Sequence, residues 1–149
     1  MRAVVQRVSQ GNVGVGGKVM AKISWGLVVL LGIGPADTEA DVRELAEKVV
    51  NLRIFEDAEG KMNLSCLDVS GEIIVVSQFT LYADTRRGRR PSFTDAAKPD
   101  LAEPLCDFFT ATLREMGVPT QTGVFGEHML VEIHNDGPVT ILLEQPARD

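Results

Sequence analysis

The chain has 149 residues, which at roughly 150 residues per domain makes one domain over 1–149 and rules out a second. With 44% hydrophobic and 24% charged residues it can build a core, which excludes disorder and collagen-like repeats. Fifteen Lys plus Arg against 21 Asp plus Glu give a net charge of −6, the wrong sign for coating nucleic acid non-specifically. Any nucleic-acid partner must be met by a local patch, and no role on DNA is expected. Cys66 and Cys106 stand apart, with no CxxC or His cluster, so neither a disulfide framework nor a zinc site is expected. A reducing cytoplasm fits this usage. The N-terminus mixes charge into its apolar residues, and the longest greasy stretch, 25–33, is too short to span a bilayer. No membrane contact is expected.

Along the chain, residues 2–8 are Val-rich and read as a strand closed by a turn over 9–12, with a second short strand to follow. Gly16-Gly17 resembles a two-residue hairpin loop, since Gly supplies the positive φ that tight hairpins need. The same stretch superficially resembles a phosphate loop, but the spacing is off by one and Val19 offers no hydroxyl to a magnesium ion. Residues 18–33 continue as strand, apolar on both faces from Leu27 to Leu31. Thr38 and Asp41 resemble a capping box before an apolar stripe of Val42, Leu45, Ala46, Val49 and Leu52, which predicts a helix over about 38–52. Residues 72–82 contain Ile73-Ile74-Val75-Val76, a buried strand delivering Ser77-Gln78-Phe79-Thr80 to its far end.

From 83 to 99 there is no period, and Arg86, Arg87, Arg89 and Arg90 concentrate four of the 15 cations in one loop. Leu101, Leu105, Phe108, Phe109, Leu113 and Met116 predict a second helix, in which Pro104 is tolerable only within the first turn and Gly117 is the stop. Three closing strands are expected over 120–125, 128–134 and 139–144. The fold class is α+β: a mostly antiparallel, barrel-like β-sheet with two amphipathic helices.

Ser77, Thr80, Ser92 and Cys66 are candidate nucleophiles, but none has an evident activating base, and no GxSxG elbow is present. His128, Glu132 and His134 would share one face of a strand, so a metal site can be drawn, yet both histidines fit a solvated face equally well. No metal or other cofactor is expected. Asn135-Asp136-Gly137-Pro138-Val139-Thr140 reads first as a hairpin turn, with an X-Pro bond that makes cis accessible.

Ser77-Gln78-Phe79-Thr80-Leu81 and the 135–140 segment together resemble the paired signature of the D-aminoacyl-tRNA deacylases, also called D-tyrosyl-tRNA deacylases. The likeness extends over nearly the whole chain, through 1–8, 53–55, 60–64 and 90–93. It implies a homodimer that hydrolyses the ester between a D-amino acid and the terminal ribose of tRNA. It also implies that Gly137 and Pro138 form a cis turn reaching into the other subunit's site, where their carbonyls accept from the substrate's ammonium group. Ser77, Gln78, Phe79 and Thr80 would form the opposite, catalytic wall, with the Phe79 amide on the ester carbonyl and Gln78 near the ribose. Arg7 would brace the Gly-Pro turn, and Met129 would belong to the substrate pocket. The four arginines at 86, 87, 89 and 90 are expected on the tRNA.

Overall fold

The computed structural model describes residues 1–146. Its elements are β1 (Arg2–Val15), β2 (Lys18–Ile23), β3 (Gly26–Gly32), α1 (Glu39–Asn51), β4 (Phe55–Glu56), β5 (Met62–Leu64) and β6 (Glu72–Ser77), followed by a 3-10 turn (Phe79–Tyr82), α2 (Pro99–Glu115), β7 (Thr120–Thr122) and β8 (Leu130–Glu144). Six strands form one sheet in the order β2-β1-β3-β6-β7, with β8 on the other edge of β1. β4 and β5 make a separate small hairpin.

β1 organises the sheet. Its first half pairs antiparallel with β3 and its second half with β2, while β8 follows it along almost its full length. The chain turns from β1 into β2 at Gly16 and Gly17, both at positive φ, as the hairpin reading requires. The expected turn at 9–12 is absent: β1 runs through it, because β8 supplies partners for Gln10, Gly11 and Asn12. Beyond β3 the sheet departs from the expected antiparallel pattern, since β3 pairs parallel with β6 and β6 parallel with β7. Parallel neighbours need crossover connections, which α1 and α2 occupy. β2 closes toward β7 through the Gln121 amide, which accepts from Lys22 N–H at 3.0 Å and donates to Lys22 O at 2.7 Å. The mixed sheet is thereby curled almost into a barrel.

One apolar cluster fills the barrel, around Val8, Val13, Ile23, Val28, Ile74 and Val76. The larger lies between the sheet and the helices, around Leu27, Leu31, Leu45, Val49, Phe55, Phe109 and Leu113. α1 starts on the predicted capping box, with Thr38 as N-cap and Asp41 answering it, and buries Val42, Leu45, Ala46, Val49 and Val50. α2 begins at Pro99, earlier than expected, so Pro104 stands beyond the first turn on an exposed face. Packing of Leu105, Phe109 and Leu113 outweighs the backbone bond that Pro104 cannot make. Among the described residues no helix is long and apolar enough to cross a membrane.

The C-terminal region differs most from expectation. The strands read at 128–134 and 139–144 are one strand, β8, which starts at Leu130 and leaves His128 outside it. The 135–140 segment is therefore a bulge in a continuing strand and not a hairpin turn. Val8 faces Asn135 and Gln6 faces Thr140, so residues 136–139 all stand opposite Arg7.

Candidate active site

The buried, β-branched β6 ends at Ser77, whose ladder partner is Leu31 of β3. Gln78 N–H donates to Leu31 O at 2.8 Å, the last rung, and the chain then winds into the 3-10 turn at 79–82 rather than continuing as strand to Tyr82. Leu81 N–H returns to Gln78 O at 3.2 Å and Ala83 N–H to Thr80 O at 3.0 Å. Phe79 and Thr80, at the opening of this turn, direct their N–H groups to no backbone acceptor among those bonds. The Gln78 amide donates to the Thr80 hydroxyl, so that oxygen faces a neutral donor and no base.

Beside this segment lies an apolar cleft of about 560 Å³. Leu31, Ile33, Ser77, Gln78, Phe79, Phe93, Ala97, Cys106 and Phe125 are among the residues lining it. Phe79 is 57% exposed and meets Phe93 edge to face, with centroids 5.2 Å apart. A cleft of this size and polarity, with a few backbone and amide groups at one wall, suits a small organic moiety. Its floor could not be read from the sequence, because 31–33, 77–79, 93–97, 106 and 125 meet only through the sheet and α2.

The second signature segment lies elsewhere. The Gly137–Pro138 peptide is cis, and Gly137 has φ of +132°. Both residues are exposed, and neither lines the cleft of its own chain. Asn135 closes the bulge on itself, its Oδ1 accepting from Val139 N–H at 3.0 Å and its amide donating to Thr140 Oγ1 at 2.9 Å. Arg7 lies beneath, only 4% exposed. Its Nε donates to Asp136 O at 3.0 Å and its Nη1 to Ile54 O at 2.7 Å. Two carbonyls, with the Asp136 carboxylate 3.5 Å from Nε, thus hold the buried guanidinium and tie the bulge to the segment before β4. Met129 packs against the barrel cluster, its sulfur filling the space that a side chain on Gly123 would need.

The arginine loop is exposed throughout and closes through paired Asp84 and Ser92 backbones. Its four cations are not equivalent. Arg86 forms a two-pronged bond to Asp84, Nε to Oδ1 and Nη2 to Oδ2, both at 2.8 Å. That guanidinium holds the Asp84 carboxyl far below the ordinary carboxylate range. Arg87, Arg89 and Arg90 are exposed along the rest of the loop.

The other candidates go to structural tasks. Glu132 accepts from Asn12 Nδ2 at 2.7 Å and His134 meets the Gln10 amide at 3.2 Å, while His128 sits off the strand, so the three do not converge on one point. Cys66 and Cys106 are free and buried, and burial pushes both thiols up to about 12, leaving them protonated and weakly nucleophilic near neutrality. Ser92 shares its hydroxyl with Thr94 at 3.3 Å. Sequence reasoning passed over Arg2 and Tyr82, which hold the far end of the 3-10 turn; the signal was a cation within an apolar strand.

A family model described as D-Tyr-tRNA(Tyr) deacylase matches residues 4–144. A D-aminoacyl-tRNA deacylase of Roseiflexus sp. (strain RS-1) is 63% identical over 144 residues, covering 97% of this chain and 93% of the relative. One from Thermus aquaticus is 58% identical over 148 residues, covering 99% and 97%. Among solved structures, one described as c-Myc DNA Unwinding Element Binding Protein superposes with a TM-score of 0.93 at 44% identity, covering 99% of this chain and all of that one. A probable eukaryotic D-amino acid tRNA deacylase, at 18% identity and a TM-score of 0.82 over 95% and 97% of the two chains, shares the fold. With nearly every residue matched, both signature segments included, the chain belongs to the D-aminoacyl-tRNA deacylase family.

Proposed function

We propose that this protein is a cytoplasmic homodimer that hydrolyses the ester of D-aminoacyl-tRNA, releasing tRNA and a free D-amino acid. The observation that carries the reading is the separation of the two signature segments. Ser77, Gln78 and Phe79 line a cleft in their own chain, with Thr80 just beyond its lining, whereas the Gly137–Pro138 bulge is exposed, lines no part of that cleft and is braced by Arg7. A second copy of the chain would supply the missing half, its Gly137 and Pro138 carbonyls accepting from the substrate's α-ammonium group. Such a pocket reads chirality with backbone atoms: an L side chain collides with the bulge, and a D side chain points outward. Glycine has no side chain to collide, so a glycyl ester also enters.

For the chemical step we favour a water molecule assisted by the neighbouring ribose 2′-hydroxyl, with the Phe79 amide stabilising the developing oxyanion. Supporting this, among the described residues Thr80 Oγ1 is hydrogen-bonded by the Gln78 amide and has no side-chain base of the kind an attacking hydroxyl needs. A single oxyanion donor is worth on the order of 10² to 10³ in rate, so amides alone supply substantial catalysis. Arg87, Arg89 and Arg90 would contact tRNA phosphates.

The test is release of amino acid from a D-aminoacyl-tRNA and its L counterpart. Loss of the D ester with the L ester spared is expected, and cleavage of glycyl-tRNA with it. The rival is a non-catalytic nucleic-acid-binding dimer, favoured by the name of the solved structure at 44% identity. Retention of tRNA or DNA with both esters intact would decide for it.

A further inference from the structure

The 3-10 turn that carries Phe79 and Thr80 is held at its closing end from β1. Arg2 stands opposite Gly32 of β3 and Glu144 of β8, so its side chain shares a sheet face with the position where Gly32 has none. The turn lies directly on that glycine: a Cβ there would sit 3.0 Å from Gln78 O and 3.1 Å from Leu81 Cβ. Arg2 reaches over beside it. Its Nη1 donates to Leu81 O at 2.8 Å, its guanidinium carbon lies 4.6 Å from the centre of the Tyr82 ring, and its Nε pairs with Glu144 at 3.1 Å. A planar guanidinium can make all three contacts at once, which an ammonium cannot.

We propose that Arg2 is a positioning residue for ester hydrolysis, fixing the Leu81 carbonyl and through it the orientation of the Phe79 amide at the cleft. This rests on the reading of residues 77–80 as the ester-binding wall. The Arg2–Glu144 pair leaves 31% and 43% of its side chains exposed, so it adds little to global stability. The bond to Leu81 O, by contrast, acts on a turn of only four residues. Any shift at Leu81 passes through its N–H bond to Gln78 O, the carbonyl of the peptide that carries the Phe79 N–H. Displacements of about 1 Å at a reacting group can lower a rate by on the order of 10²-fold, so a partial loosening is expected in kcat and not in ground-state binding.

The experiment compares Arg2→Met, Arg2→Lys and Tyr82→Leu with wild type, reading kcat and KM on D-aminoacyl-tRNA and hydrogen exchange at the Leu81 and Ala83 amides. Arg2→Met should lower kcat about tenfold with KM held within about twofold. Both amides should exchange faster while β6 stays protected, and Arg2→Lys should recover part of the loss. An unchanged kcat in folded Arg2→Met, or a rise in KM alone, overturns the proposal. If Arg2→Met does not fold, an unchanged kcat in both other variants overturns it. If wild type spares D-aminoacyl-tRNA, the reading of the wall falls and the proposal with it; normal wild-type turnover with unaltered variants removes only the role of Arg2.

Discussion

The two signature segments are built in opposite ways. Residues 77–80 leave the end of a buried parallel strand and wind at once into a tight turn whose lower face rests on β3. Residues 135–140 interrupt an antiparallel strand that resumes its pairing on the far side, and a single buried arginine supports them. The first is a wall with a cleft in front of it. The second is exposed and lines no part of that cleft, and on the proposed reading it serves another copy's site.

The sharpest way to break this comparison is at Gly137. A Cβ there would lie 2.8 Å from Val139 Cγ2, 3.1 Å from Val139 N and 3.2 Å from Arg7 Nη2, at a φ that L side chains rarely adopt. Gly137→Val should therefore lower deacylation by on the order of 10²-fold or more while the barrel stays folded, since of the bulge residues 136–139 only Val139 joins an apolar cluster, and Gly137 itself belongs to neither. Single-turnover rates beside circular dichroism check it. Activity within a few fold of wild type would remove the bulge from the site.

A complementation experiment sharpens the point. Phe79→Pro deletes one amide donor at the first position of the turn, where proline's φ is tolerated, and should be nearly inactive as a homodimer. Mixed with Gly137→Val under conditions that exchange subunits, half of the dimers become hybrids with one intact site of two. About a quarter of wild-type activity should return if each site uses the wall of one chain and the bulge of the other. No recovery despite proven exchange would mean that both segments serve the same chain's site.

How much of this was legible in the sequence follows from where the information resides. The cap at Thr38 and Asp41, the α1 stripe and the Gly16-Gly17 hairpin are local chemistry, and the structure has them. The continuation of β8 through Gly137-Pro138 was not legible, because those residues favour a turn locally while pairing with β1 carries the strand onward. The start of α2 was misplaced for a related reason: Pro104 signals a first turn, but burial of Leu105 and Phe109 sustains a helix that began at Pro99. Among the signature residues, 77–80 and 137–138 could be named from their motifs. The support from Arg2, Gly32 and Phe93 could not, since it depends on which strands become neighbours.

Within the wall, the two possible chemistries differ in what they ask of Thr80. If the ribose hydroxyl assists water, Thr80→Ala removes only the acceptor of the Gln78 amide and should cost less than about tenfold, the scale of one hydrogen bond. A nucleophilic threonine would make the same variant inactive and allow an acyl-enzyme to be trapped from wild type. Burst kinetics and mass spectrometry on quenched reactions distinguish the two.

The smallest expected effect concerns the arginine loop, where the structure divides four cations that look alike in sequence. Arg86 is already paired with Asp84, and that carboxylate, depressed by the hydrogen bonds and charge of Arg86, stays ionised as pH falls through the ordinary carboxylate range. A depressed carboxylate contributes its pairing above the unfolded value and loses it only in strong acid, so the loop keeps its shape at every practical assay pH. Each phosphate contact contributes about 0.9 to the salt slope on duplex and about 0.7 on single strand. Arg87→Ala with Arg89→Ala should accordingly flatten the slope of tRNA binding by about one to two units. Arg86→Ala should change it by less than about half a unit, because its guanidinium is already paired with Asp84 and so neutralises no phosphate. Discrimination between D and L esters should be unaltered in both variants, since phosphate contacts position the RNA while, on the proposed reading, the backbone of the pocket reads chirality. An equal change in slope per arginine removed in the two variants would mean that the Asp84 pair opens on binding, and all four arginines would then count as phosphate contacts.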